Sequence, residues 1–451
     1  MALKKSIKGV WGISEIGFSM MATTETIFFM LFLTDVAKLP LAITGVIAGS
    51  TALIDAVSAV VAGIVIDKVK FKSGKYRNWL LVCPPIVTVF FVLMFTKIGG
   101  DLTAGILVSI GYVISHFVWN IAWTANRNLI PYISSDQSER SWLSARIAMG
   151  SSIGKLGASY LIPIITTALF AVFSTGTDGN VPVIAYTLAA LLMGLCFLVC
   201  YYIHFGITKG CDAQESAGKP VTFKDMGKAV ATNDQLIVVL LHDAIRLIAF
   251  YGVTTLSTYY AKCVLGVSTD SSILLVFFNL GTIIGAMFTA KLSKKFGVKG
   301  TTLIGVIGWL VMQLFVFVVP ANVWTISAIL FVGQLFFGTA YGLTSKLYAM
   351  CGTYGEWKTG SQARGVTMAF CSLAIKLGVA IRGVIIPVAL SFIAYDATVA
   401  DPTVFAAGIQ SLYAILPVAC IAVSLIPLIF FKLSDEKIEK MDEEIAQRNA
   451  A

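Results

Sequence analysis

Asp55 stands in a long, nearly uninterrupted apolar stretch, and Glu25 stands in the stretch before it. A carboxylate in such surroundings persists only where water, an ion or a polar ligand meets it. On one helix, Asp55, Ser58, Ala59 and Ala62 share a face, and their small side chains leave space around the acid. A proton or metal ion at Asp55 would offset the desolvation of its charge and favour one conformation over another, which is what a symporter needs. The structural alternative is a fixed salt bridge. On the preceding helix, Glu15, Ser19, Ala22 and Thr26 follow three- and four-residue steps, with Glu25 beside them. Glu15 reads as a solvated carboxylate near the helix end. Glu25 lies deeper and needs a partner, either as a proton or substrate group or as half of an interhelical ion pair.

A second polar stripe is formed by His116, Asn120, Trp123 and Arg127, with Trp119 flanking it. Aromatic rings offer flat apolar area, and a guanidinium holds a carboxylate or hydroxyls in a fixed fork, a combination suited to a sugar or another polar ring. The bland alternative has Trp119 facing lipid and only Arg127 inside. Further along, His242 to Arg246 reads HDAIR, and Asp243 and Arg246, three residues apart, are placed to pair within one helix. Lys376 has no acidic neighbour within a turn, so its partner lies on another helix or in a ligand. With Arg382, and with Arg146 at the start of a span, these residues give the interior a slight basic excess over Glu25, Asp55 and Asp243. An arriving anion suits such an interior better than a neutral molecule does.

The elements that position these groups follow from composition. Of 451 residues, 57% are hydrophobic and only 13% charged, whereas a soluble domain carries about 25% charged residues. Mean hydropathy is +0.85. About 20 apolar residues cross a bilayer, and the runs from Val10–Thr34 to Ala406–Phe431 suffice for roughly twelve crossings. The expected organisation is an all-α membrane protein with an N-terminal six-helix bundle over residues 1–207, a polar linker over 208–232, a C-terminal bundle over 233–431 and a charged, soluble tail over 432–451 that anchors nothing.

Loop charge sets the expected orientation. Lys68, Lys70, Lys72, Lys75 and Arg77, the linker lysines, Lys291, Lys294, Lys295 and Lys299, and Lys346, Lys358 and Arg364 fall in the even connections, while the odd ones hold only Lys38, Lys97 and Lys262. Basic loops stay cytoplasmic, so both termini are expected in the cytoplasm of a multi-pass plasma-membrane protein. The net charge of +9 is explained by these loops, without a continuous aromatic-flanked basic surface for nucleic acid. The eight cysteines form no CxxC and the three histidines are scattered, so no disulfide framework or metal centre is expected. No GxxxxGK[ST] motif is present. Energy, if used, comes from a gradient; a membrane enzyme, a channel and a sensor are the weaker alternatives.

Four segments carry a family resemblance: LTDV at Leu33–Val36, DKVKFKSGKYRNW at Asp67–Trp79, RNLIPYISSDQSER at Arg127–Arg140 and YGEWKTG at Tyr354–Gly360. Together they resemble the glycoside, pentoside and hexuronide cation symporters, the melibiose permease-like branch of the major facilitator superfamily, over the whole chain before the tail. The resemblance implies twelve transmembrane helices in two six-helix bundles and alternating access around a central cavity, with no cofactor and one polypeptide sufficient. It also implies that Asp55 is the first of two cation-site acids, the second position being Ala59, which disfavours a strong sodium site. Lys376 and Arg146 match basic residues near the sugar. Arg127 takes the place of a sugar-stacking tryptophan, while Ser19 and Trp123 replace two sugar-binding aspartates. That exchange points to proton-coupled symport of an anionic glycoside such as a hexuronide or glucuronide, with Asp55, Glu25 and Asp243 as coupling candidates and Ser19, Trp123, Arg127, Arg146, Arg246 and Lys376 on the substrate. A neutral glycoside or pentoside, sodium-coupled or uncoupled, is the alternative. The basic loop around Lys72 and the YGEWKTG segment are expected to supply cytoplasmic gate salt bridges. Gly281, Gly285, Gly305 and Gly308 are expected to serve close helix packing.

Overall fold

Residues 5–69, 71, 75–134, 137–173, 182–211, 223–360 and 364–450 are described by a computed structural model, and no strand occurs among them. The principal helices are α1 (Ile13–Leu31), α2 (Leu41–Lys68), α3 (Trp79–Met94), α4 (Asp101–Asn128), α5 (Gln137–Phe173) and α6 (Val183–Ile207). They continue as α7 (Asp234–Cys263), α8 (Asp270–Met287), α9 (Thr289–Val318), α10 (Val323–Tyr341, resuming as Thr344–Thr359), α11 (Arg364–Phe392) and α12 (Ala406–Ile429). Eleven described segments are long and apolar enough to span a bilayer, and α3, at 16 residues, is a shorter apolar helix. Large apolar side chains such as Val46, Leu102, Met287 and Phe392 point outward with 70%, 73%, 77% and 84% exposure, as expected where hydrocarbon is the solvent.

The chain divides into two units, Met1–Pro220 with Gly383–Pro402, and Val221–Arg382 with Thr403–Ala451. In the first, α1 packs on α5 and α6, α4 on α2 and α3, and α3 on α6. In the second, α7 packs on α12, α10 on α8 and α9, and α9 on α12. Moving six helices along the chain turns the α1–α6, α2–α4, α3–α4 and α3–α6 pairs into those of the second unit. These four pairings therefore occur twice.

Small residues make these contacts possible. A Cβ on Gly281 or Gly285 would collide with the α10 backbone at Phe331 or Leu335, and one on Gly305 would meet Phe336 and Ala340. Close backbone approach is the usual means of helix association where lipid removes the hydrophobic drive. The packing role expected of these glycines is what they perform.

Two elements depart from expectation. Lys291, Lys294 and Lys295 lie not in a loop but on a helical extension of α9, broken at Gly297, whose φ of 69° requires a residue without a Cβ. The tail, expected to anchor nothing, forms the helix α13 (Asp435–Ala450) and docks on the end of α10. Trp357 Nε1 donates to Glu444 at 2.5 Å and Lys346 pairs with Asp435 at 2.7 Å. Ile438 and Met441 pack on a core that includes Leu347, Met350 and Cys351. Of the two segments expected to gate the cytoplasmic side, Lys70 and Lys72–Gly74 lie outside the described residues, as does 212–222 of the expected linker. In the other, Lys358 pairs at 3.1 Å with Asp234 of its own unit.

Candidate substrate and coupling site

In the first unit, α1, α2, α4 and α5 carry a chain of buried polar groups. Asp55 is 8% exposed and accepts a 2.7 Å hydrogen bond from the Asn120 amide of α4. A turn away on α4, His116 stacks on Tyr112 with ring centroids 3.6 Å apart, and its Nδ1 lies 2.9 Å from the Tyr112 carbonyl. Tyr112 in turn donates to Glu25 at 3.4 Å, and Thr26 donates to the other Glu25 oxygen at 3.1 Å. The Asp55 and Glu25 carboxylates each accept from a donor of α4.

Closer to the start of α1, Arg127 Nη2 donates to Glu15 at 3.0 Å, and its guanidinium carbon lies 4.1 Å from the centre of the Trp123 ring. The four-residue step from Trp123 to Arg127 puts ring and cation on one face. Glu15 was expected to be solvated, but it is 2% exposed. Burial of the carboxylate is affordable because Arg127 neutralises it. Trp119 is also buried, 5.2 Å from the Phe18 ring and 4.0 Å from His116, so it does not face lipid.

Ser19 shares a 2.8 Å hydrogen bond with Ser151 of α5. The close approach that allows it comes from Gly150 and Gly154, where a Cβ would strike Gly12 and Ile16 carbonyls. Arg146 lies five residues before Ser151 on the same helix. It sits 5.2 Å from the Trp142 ring and donates to the Lys8 carbonyl at 3.4 Å. The α5 cation within electrostatic reach of Glu15 is instead Lys155. Sequence reading passed over Lys155, although a lone lysine amid the small residues of GSSIGKLGAS was a signal.

In the second unit, Arg246 and Asp243 form a fully buried ion pair. Thr344 accepts from Arg246 at 3.0 Å and Tyr348 donates to Asp243 at 3.3 Å, while the Phe337 and Tyr341 rings flank the guanidinium. Arg382 donates to Thr255 at 2.9 Å, and Lys376 is half-buried on α11. Among the described residues, no group of three or more His, Cys, Asp or Glu is placed to hold a metal ion.

Repeated bundles of apolar helices with ionisable groups kept inside define a multi-pass membrane transporter. The chain belongs to the family described as MFS/sugar transport protein, whose sequence model matches residues 10–435. Its members are transporters and not enzymes. The isoprimeverose transporter of Lactiplantibacillus pentosus is 28% identical over 97% of this chain and 89% of that protein. A putative sulfoquinovose importer of Salmonella typhimurium is 26% identical over 99% and 94%, and a glucuronide carrier protein homolog of Escherichia coli is 25% identical over 94% and 91%. The crystal structure of the nucleoside transporter NupG has the same fold, with a TM-score of 0.67 at 14% identity over 95% of this chain and 100% of that one.

Proposed function

We propose that the protein is a proton-coupled symporter of an acidic glycoside, a hexuronide or glucuronide. The observation that carries this reading is Arg127, 38% exposed along its side chain and laid over the Trp123 ring. Ring and guanidinium together match a sugar that bears a carboxylate. Ser19 is assigned to sugar hydroxyls, and Lys376 and Arg146 to further substrate contact. Arg246 and Asp243 are assigned to each other as a structural pair. The names of two relatives, a glucuronide carrier homolog and a sulfoquinovose importer, support an acidic solute. Asp55 and Glu25 are the proposed proton sites. Both termini are assigned to the cytoplasm, and transport proceeds by alternating access within one polypeptide.

A neutral glycoside is the competing substrate, favoured by the relative named for isoprimeverose. Arg127→Gln separates the two readings in purified protein titrated with methyl β-D-glucuronide and methyl β-D-glucoside. Glucuronide affinity is expected to fall about a hundredfold, as for a lost charge partner, and glucoside affinity much less. Equal losses would exclude the acidic substrate.

A further inference from the structure

Glu15, Arg127 and Lys155 converge from α1, α4 and α5, and they differ in how far a solute can reach them. Glu15 is buried, with 3% of its side chain exposed, while 38% of Arg127 is open. Lys155 is exposed and stands one helical turn after Ser151, which bonds Ser19 of α1, so it shares the α5 face turned toward α1 and lies within electrostatic reach of Glu15. Side chains on a helix lean toward its N-terminus. Lys155 therefore reaches back toward Ser151 and the level of Glu15, whose Cβ lies near Gly150. Two charges of one sign are presented to a solute, and the opposite charge stands behind them. Glu15 Oε2 and Arg127 Nε are buried with no hydrogen-bond partner among the described residues.

We propose that Lys155 is a specificity residue, and that the Glu15–Arg127–Lys155 group selects a singly charged acid. This inference rests on the acidic-glycoside reading. Within this group, two cations and one carboxylate leave a single positive charge, which a carboxylate or sulfonate cancels. A phosphate monoester carries about −1.5 to −2 at pH 7 and would leave the low-dielectric site negative. Glu15 orients Arg127 and at the same time subtracts one charge, so the site accepts uronic and sulfonic sugars and rejects sugar phosphates.

The test uses full-length purified protein and three probes: methyl β-D-glucuronide, methyl β-D-glucoside and glucose 6-phosphate. In Lys155→Gln, glucuronide affinity is expected to drop about tenfold or more, the glucoside is held within about threefold, and Lys155→Arg restores the glucuronide. Glu15→Gln is expected to raise glucose 6-phosphate affinity relative to glucuronide by about tenfold. Wild-type protein that binds the phosphate ester as tightly as the glucuronide, or a Lys155→Gln loss equal for charged and neutral probes, overturns the inference while the acidic-glycoside reading stands. Wild-type protein that binds only the glucoside overturns both.

Discussion

Asp55 and Asn120 form a hydrogen bond of 2.7 Å between α2 and α4, and a bond to a charged acceptor is worth about 1.5–3 kcal/mol. An amide can donate whether or not the acid carries a proton, so this contact persists through a proton cycle while the charge changes. Asp55→Asn removes the titrating group but keeps the shape. In proteoliposomes it is expected to abolish accumulation against a gradient while leaving exchange of external for internal substrate within about threefold; accumulation at the wild-type level would move coupling elsewhere. At this scale the sequence showed which residues are ionisable but not which ones meet. Asp55 stood out because charge is rare in a span. The burial of Glu15 was hidden because its partner Arg127 lies more than a hundred residues away, and Lys155 was hidden by the lack of any nearby acid in sequence.

Helix approach decides whether these side chains converge. At the α1–α5 seam, a Cβ on Gly154 would lie 2.9 Å from the Ser19 Cβ and 3.1 Å from the Met20 nitrogen. Gly154→Val therefore pushes α5 off α1, an overpacking cost of about 1–3 kcal/mol, and breaks the Ser19–Ser151 bond. A lowered melting temperature together with weaker binding of every glycoside is expected; unchanged stability would show that the seam yields easily. Apolar length made the helices readable from sequence. Their edges were not, because lysines that read as loop are also good helix formers, and α9 uses them on its extension before Gly297.

The molecule repeats four helix pairings in two units and adds a docked tail. Ile438, Met441 and Ile445 recur at three- and four-residue steps, an amphipathic signal masked by the surrounding charge. Ile445 is 7% exposed. Truncation after Leu433 removes that cover and the Trp357–Glu444 and Lys346–Asp435 contacts, at a cost of about 3 kcal/mol for the apolar side chains. The expected result is a melting temperature several degrees lower with substrate affinity retained; an unchanged melting temperature would make the docking incidental. Transport itself is tested most directly by recording external pH while proteoliposomes take up methyl β-D-glucuronide in sodium-free buffer. Saturable uptake with alkalinisation of the medium is the predicted result, and uptake that strictly requires sodium would contradict proton coupling.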